Sequence, residues 1–318
     1  MSLSLSEAEL IDRMCALVPV APAPRGPGDD AALEGSRVTT VDLMVEDVHF
    51  LRSHPPEWLG HKLLAVNLSD VGAMGATPTG FLVTAALPGD TPPGWWESLS
   101  RGLGALAREA GVSLLGGDVT RSSGPVMLGV TAWGELGTSG ALLRSGGCPG
   151  DVLMLHVAEG VGRSALGLAR WLEKAGRVWP TDVVLETDLC VRSHLRPPTS
   201  WRLGPWAVSH GARAGMDCSD GLFTDVPRLA RQSNVGITVE LGGLPEDALC
   251  SGMTAEERAA GGEDYGLLVF VPPGERETFE EVGFFTLGHA TSDRGVTWQL
   301  SGTPIDGARP GFRHFARG

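Results

Sequence analysis

The sequence has 318 residues, 42% of them apolar and 20% charged, enough for one large or two medium globular domains with a real core. Its net charge of −13 excludes a basic nucleic-acid-binding surface, so a role on phosphates requires cations. Five cysteines without a C-x-x-C pair exclude a disulfide framework and a zinc site of the usual spacing, and point to a reducing cytoplasm.

The opening residues carry neither a basic region nor an apolar run, so no signal peptide is expected. No stretch approaches the ~18 apolar residues of a membrane span. Ser6 to Val18 reads as a helix: Ser6 and Glu9 match a capping box, and Leu10, Ile11, Met14, Leu17 and Val18 share a face. A Pro/Gly-rich loop then ends in Gly28-Asp29-Asp30. A strand follows over Arg37–Leu43, with Asp42 at its end and His49 just beyond.

Glu57–Gly75 reads as a second helix with a stripe of Leu59, Leu63, Val66 and Met74. Asp70 lies within that stripe, and Lys62 is expected on a solvated or subunit edge. Phe81–Leu87 predicts a strand and Trp95–Ala110 a helix whose Trp95 and Trp96 face core or interface. Val112–Leu115 predicts a short strand running into Gly116-Gly117-Asp118, and Val126–Trp133 another strand.

The turn-rich Arg144–Asp151 separates the halves and predicts domains over 1–140 and 141–318. Beyond it come a strand (Val152–Val157), a helix (Arg163–Lys174) and a polar, Pro-containing region. A strand then ends in Asp217-Cys218-Ser219-Asp220-Gly221, which opens a helix. Strands are expected at Ile237–Leu241, Tyr265–Val271, Phe284–Gly288 and Val296–Leu300, with Gly261-Gly262-Glu263-Asp264 before the second of these. Strict βαβ alternation is missing, which predicts an α+β fold with its ligand site in a cleft between the halves.

The recurring feature is an apolar segment that runs into Gly or Ser and then Asp. Glycine lets backbone N–H groups approach phosphate oxygens, and aspartate offers the hard oxygens that suit magnesium. One such pair is ordinary turn chemistry. A set converging on one rim would repel by ~4 kcal/mol per close pair at an effective dielectric of 20, a cost that metal ions and an anionic substrate would relieve. The P-loop pattern, the kinase H-R-D and D-F-G motifs and a dinucleotide fingerprint in βαβ context are all absent from the sequence.

The ordered motifs Gly28-Asp-Asp-Ala-Ala32, Asp42 with His49-Phe50, Lys62-x-x-Ala-Val-Asn-Leu-Ser-Asp70, Ala73-Met-Gly-Ala76, Gly116-Gly-Asp118, Arg144-Ser-Gly, Pro149-Gly-Asp151, His194-Leu-Arg-Pro197, Asp217-x-Ser-Asp-Gly-Leu222, Gly261-Gly-Glu-Asp-Tyr265 and Phe312-x-His-Phe315 resemble the thiamine-monophosphate kinase family. That family belongs to the aminoimidazole ribonucleotide synthetase-like superfamily. The resemblance implies a homodimer of two-domain α+β subunits, an N-terminal α/β domain forming a dimer sheet or barrel beside a C-terminal α+β domain. It implies ATP and thiamine monophosphate in one cleft with several Mg²⁺ ions, and direct γ-phosphoryl transfer without a catalytic side chain, giving thiamine diphosphate.

Position by position, it implies Asp30, Thr40, Asp42, Asp70, Asp118, Asp217 and Asp220 as metal ligands. Gly117, Asp118, Arg144 and Ser219 fall at ATP contacts, and His49, Glu263 and Phe312 at acceptor contacts. Asp29, Asp151 and Asp264 are left as turn residues. The chain departs from the family at Val41 and Gly266, where a hydroxyl and a glutamate are usual, and carries Phe312 where tyrosine also occurs. The competing readings are another ATP-using enzyme of the superfamily and a non-catalytic nucleotide- or metal-binding module. The selenium-transferring branch would need a reactive Cys and Lys near the N-terminus, whereas Cys15 lies in an apolar helix face. The hydrogenase-maturation branch would need a C-terminal Cys, and Cys250 is the last one.

Overall fold

The computed structural model describes residues 6–22, 26–174 and 188–306. Helix α1 (Glu7–Cys15) starts at the expected capping box, with Ser6 Oγ accepting from Glu9 N and the Glu9 carboxylate accepting from Ser6 N. It ends at Cys15, three residues before the expected Val18, and Leu17 and Val18 follow it exposed.

The first half builds a five-stranded sheet from β1 (Ala32–Glu34), β2 (Arg37–Val45), β3 (Ala76–Pro88), β4 (Ser113–Ser122) and β5 (Met127–Leu136), in the order β1-β2-β5-β3-β4. Helix α2 (Pro56–Ala73) precedes β3, and α3 (Pro93–Ala110) makes the crossover between the parallel pair β3 and β4. The period of two along β2 sends Val38, Thr40 and Met44 to the covered face and Val41 and Leu43, 69% and 55% exposed, to the other.

Two strands overrun their expected ends. β2 continues past Asp42 to Val45, and β4 continues through Gly116-Gly117-Asp118 to Ser122. Both aspartates therefore stand within strands rather than on turns. The ladder explains this: Asp42 pairs with Val130, and Gly117 and Asp118 pair with Val83 and Thr84. A Cβ on residue 117 would lie 1.9 Å from the Val83 carbonyl oxygen, so close sheet approach already demands glycine there.

The expected single stripe on α2 is too narrow. Nearly the whole helix is buried, including the polar His61, Lys62, Asn67 and Ser69. Its neighbours come close because they meet glycine. A Cβ on Gly102 of α3 would stand 1.7 Å from the Glu57 carbonyl oxygen, and one on Gly204 would stand 1.7 Å from that of Gly72. α2 is thus a spine packed on both halves of the chain.

The second half forms a seven-stranded sheet from β6 (Val152–His156), β7 (Ala214–Cys218), β8 (Gly236–Glu240), β9 (Gly266–Val271), β10 (Phe285–Thr291), β11 (Gly295–Leu300) and β12 (Thr303–Ile305), ordered β12-β11-β8-β10-β6-β9-β7. Helix α4 (Arg163–Lys174) matches its expected bounds. Where the sequence suggested only a polar region, the described part holds α5 (Leu189–Leu195) and α6 (Leu203–Ser209), the helix that carries Gly204. α7 (Leu222–Ser233) follows Gly221 as expected, and α8 (Ala255–Ala260) and α9 (Arg276–Glu281) are short additions. Each sheet has its own apolar cluster, built around Leu63, Phe81 and Val130 in one and Val226, Leu268 and Phe270 in the other.

Candidate functional site

A cavity of about 700 Å³ opens between the halves. Its acidic end draws on four elements: Asp42 from β2, Asp70 from α2, Asp217 from β7 and Asp220 from the turn after it. Thr40 Oγ1 donates to Asp70 Oδ2 at 2.7 Å, Ser69 Oγ to Asp217 Oδ2 at 3.2 Å, and the Asp42 backbone N–H to Asn67 Oδ1 at 3.2 Å. Behind them, buried Asp30 is gripped by the Arg144 guanidinium and accepts the Asp217 backbone N–H at 3.2 Å.

The electrostatics are unfavourable without a cation. Burial raises the pKa values of Asp42, Asp70 and Asp217, and their mutual repulsion, shared with Asp30, adds to it at Asp70 and Asp217. Burial also raises Asp30, against the pull of Arg144. Asp220 is anchored differently: it pairs with Arg228 at 2.5 Å, which also reaches buried Asp225 at 3.1 Å. Burial, with Asp220 adding to it, pushes Asp225 up to about 7.

The donor set of carboxylates with one hydroxyl suits a hard divalent cation. In this arrangement, among the described residues, no three His, Cys, Asp or Glu side chains converge on one metal position. Asp30 faces Arg144, and Asp70 and Asp217 are held by hydroxyl donors, so the set fits magnesium in kind while these three carboxylates remain committed to protein partners.

The opposite end of the cavity is apolar, with Phe50, Leu51, Leu168 and Leu172 in its wall. Here stands Glu263, held with φ +65° and its N–H on the Ser219 carbonyl at 2.7 Å. Its carboxylate meets Lys62 Nζ at 2.8 Å and His194 Nδ1 at 2.8 Å. Burial alone would raise its pKa; Lys62 and His194 outweigh that and hold it below the usual carboxylate range. The solvated edge expected for Lys62 is therefore wrong: the side chain is 2% exposed, because the buried carboxylate across the seam supplies the partner that water would have. Asp264 is not a turn residue either. It accepts the backbone N–H groups of Gly162 and Ser164 and so caps α4 from a distance in sequence.

His49 lines the same cavity and accepts the Val45 N–H on Nδ1 at 3.0 Å. Ser219 lines it as well. Asp118 and Gly117 do not. β4 is three strand spacings from β2, about 14 Å, and the ladder puts Asp118 on the face opposite Asp42. Phe312 lies outside the described residues. Of the departures, Val41 points to the outer sheet face, away from the cluster. At Gly266 a Cβ would stand 2.5 Å from the His156 carbonyl oxygen, so this backbone path has no room for a side chain.

Residues that the sequence reading missed are Ser69, Asn67, His54, Arg228 and the pair Lys62–His194. The polar positions of α2 had a signal: they interrupt an apolar helix on every face, which marks a buried helix with internal polar partners.

A model described as AIR synthase related protein, N-terminal domain, matches residues 28–136, and its C-terminal-domain counterpart matches residues 148–299. The thiamine-monophosphate kinase of Escherichia coli strain K12 is 34% identical over 308 residues, covering 92% of each chain. The chain belongs to the AIR synthase-related family, among the thiamine-monophosphate kinases. The thiamine-monophosphate kinase of Caulobacter vibrioides is 32% identical, covering 90% of this chain and 84% of its own. Among solved structures, AaThiL complexed with AMPPCP and TMP superposes with a TM-score of 0.83 at 29% identity, covering 99% of both chains. The Aquifex aeolicus thiamine monophosphate kinase gives 0.82 at 28% identity, covering 96% and 100%. A HypE–HypF complex at 18% identity and TM-score 0.71 shares the fold alone. The family's two-domain α+β fold is thus the fold of this chain.

Proposed function

We propose that this family member transfers the γ-phosphoryl group of ATP to thiamine monophosphate, giving thiamine diphosphate and ADP. The observation that carries the reading is the set of buried, mutually repelling carboxylates at one end of a cavity whose other end is apolar. Family membership and the ligands of the AaThiL structure support it. An oxygen of the acceptor phosphate attacks the γ-phosphorus, a P–O–P bond forms, and the bond to ADP breaks. A phosphate dianion needs no side chain to remove a proton, so the task is positioning and charge compensation.

Mg²⁺ bound by Asp42, Asp70, Asp217 and Asp30, with Thr40 and Asp220 alongside, would screen the repulsion between the two phosphates. Arg144 now neutralises Asp30. Turning its guanidinium onto an ATP phosphate would free Asp30 for a cation, so the two events are coupled. Ser219, on the cavity wall, is positioned to touch the nucleotide. His49, Glu263 and Phe312 are assigned to the acceptor.

A homodimer is part of the proposal. Val41 and Leu43 on β2 leave apolar side chains exposed on the outer face of the first sheet, and Leu114, Leu115 and Val119 leave more along its edge strand β4. A second copy covering this sheet would be needed for Gly117 and Asp118 to join a nucleotide site. The division into 1–140 and 141–318 is supported by the two separate sheets, and a cytoplasmic setting by the free cysteines. No described helix is long and apolar enough to cross a membrane.

The test is purified protein with ATP and thiamine monophosphate, magnesium omitted and then restored. Thiamine diphosphate and ADP should appear in equal amounts only with the metal. Turnover of aminoimidazole precursors and none of thiamine monophosphate would overturn the reading.

A further inference from the structure

Arg228 serves two carboxylates with one nitrogen. Its Nη1 donates to Asp220 Oδ2 at 2.5 Å and to Asp225 Oδ1 at 3.1 Å. Asp220 lines the central cavity and Arg228 does not, so the guanidinium holds this carboxylate from behind. The side chains of Asp220 and Arg228 are 29% and 33% exposed, whereas that of Asp225 is 0% exposed.

The backbone around them is pinned. The Asp220 N–H donates to Asp225 Oδ2 at 2.9 Å, and the Ser219 carbonyl accepts the Glu263 N–H at 2.7 Å. Gly221 has φ +93°, and a Cβ there would stand 2.7 Å from the Gly261 carbonyl oxygen, so the turn fits its place only with glycine. Asp225 and Arg228 are three residues apart on α7, a spacing that keeps two helical side chains in contact. An exchange of partners here involves side chains alone.

The two arginines of the acidic end differ in what they can turn to. Arg144 has a nucleotide phosphate in the reading above. Arg228 stands off the cavity wall, and the second carboxylate it already touches is Asp225, whose burial makes an unpartnered charge costly. A guanidinium that lets go of Asp220 therefore has a place to stay.

We propose that Arg228 competes with the cation for Asp220, and that Asp225 keeps the guanidinium when Asp220 turns to the metal. The pair sets the magnesium concentration at which Asp220 joins the site. This rests on the magnesium reading of the acidic end. Arg228 touches neither phosphate; it acts through Asp220.

The experiment reads magnesium binding without turnover. MgCl2 is titrated into the protein with and without the non-transferable analogue AMPPCP, followed by melting temperature and by calorimetry, and the midpoint in free magnesium is compared. Arg228→Met should lower the midpoint by on the order of 3- to 10-fold, as expected for removal of a competing, partly exposed ion pair. Arg228→Lys, which keeps the charge, should return most of that shift. Asp225→Asn removes the second carboxylate but keeps an oxygen for the Asp220 N–H, and should move the midpoint the other way, upward. A merely structural lesion would move both variants in one direction. In an Asp220→Asn background, Arg228→Met should shift nothing further. In steady-state kinetics Arg228→Met should lower the half-saturating magnesium and leave the KM for thiamine monophosphate unchanged.

An unchanged or raised midpoint in Arg228→Met would overturn the proposal, as would a shift that persists without the Asp220 carboxylate. If the single variant does not fold, Arg228→Met combined with Asp225→Asn removes the pair together, and an unchanged or raised midpoint there would overturn it equally. Magnesium binding without phosphoryl transfer to thiamine monophosphate would overturn the kinase reading and leave this proposal standing. No magnesium effect on the wild-type protein, with or without AMPPCP, would overturn the proposal and the metal site on which it rests.

Discussion

The two ends of one cavity treat buried charge in opposite ways. At the acidic end Asp42, Asp70 and Asp217 repel one another, while the Arg144 guanidinium is spent on Asp30 and that of Arg228 on Asp220 and Asp225. At the other end the Glu263 carboxylate has Lys62 and His194 in contact and is charge-compensated. Unrelieved repulsion is tolerated where a bound cation relieves it during function; a compensated pair is what a fixed binding wall requires. A single substitution at each end should therefore change activity and stability with different signs.

The largest effect is expected at Asp70. Asp70→Asn removes a charge that the proposed cation needs, and turnover should fall by on the order of 10³-fold. The metal-free protein should become more stable, by about 1 kcal/mol, because a repelling buried charge is gone. Thermal unfolding with and without magnesium reads both: wild type should gain stability from the metal and the variant much less. Near-normal activity, or a lower melting temperature of the metal-free variant, would contradict the role assigned to this end.

At the compensated end the sign reverses. Lys62→Met leaves Glu263 without its ammonium and should cost roughly 2–3 kcal/mol, below the range for a fully enclosed pair because Glu263 opens onto the cavity. Adding Glu263→Gln should recover part of the loss. A denaturant titration of the single and double variants checks this, and additive losses would sink the idea of a paired unit.

A pH series sharpens the contrast. Burial lowers His61 to about 4, where its Nε2 lies 2.9 Å from the Pro197 carbonyl oxygen, and lowers His54 to about 3. As pH falls below about 6.5 the unfolded chain binds these protons and the folded chain does not, so stability drops until the folded pKa values are reached. His61 alone contributes about 3 kcal/mol to that loss. The acidic cluster works the other way. Its folded pKa values lie above the unfolded ones, so protonation on acidification favours the folded state down to about the ordinary Asp value near 3.9. Melting temperatures between pH 7 and 4.5 should fall less steeply for His61→Gln and more steeply for Asp70→Asn than for wild type.

The smallest stability effect is expected at Asp118, exposed on β4. Asp118→Asn should change unfolding free energy by within about 0.5 kcal/mol. If a second copy brings it to the nucleotide, activity should nevertheless fall, and the fall should follow the dimeric fraction measured by sedimentation.

Much of this fold was legible because hydrophobic period and capping chemistry are local. The Ser6–Glu9 box, the helix Arg163–Lys174 and the strand running into Asp217-Cys218 all stand where their residues predict. The overruns at Asp42 and Asp118 were hidden because a ladder partner decides whether Gly-Asp is a turn or a strand interior, and Val130 and Val83 are distant in sequence. Of the expected metal set, Asp30, Asp42, Asp70 and Asp217 do come together. Asp118 does not, since alternation along β4 turns it to the outer face. Lys62 was misread as solvated for the same reason: its partner Glu263 is 201 residues away.

Helix α2 meets glycine at Gly102 on one side and Gly204 on another, with backbone against backbone at both places. Backbone contacts of this kind leave little slack for sliding or tilting. The interval from Lys62 to Asp70 is thus marked on a rod rather than on a hinged loop. If the acceptor lies along α2, the cavity should act as a gauge, and acceptors whose spacer between phosphate and ring is shorter or longer should react more slowly.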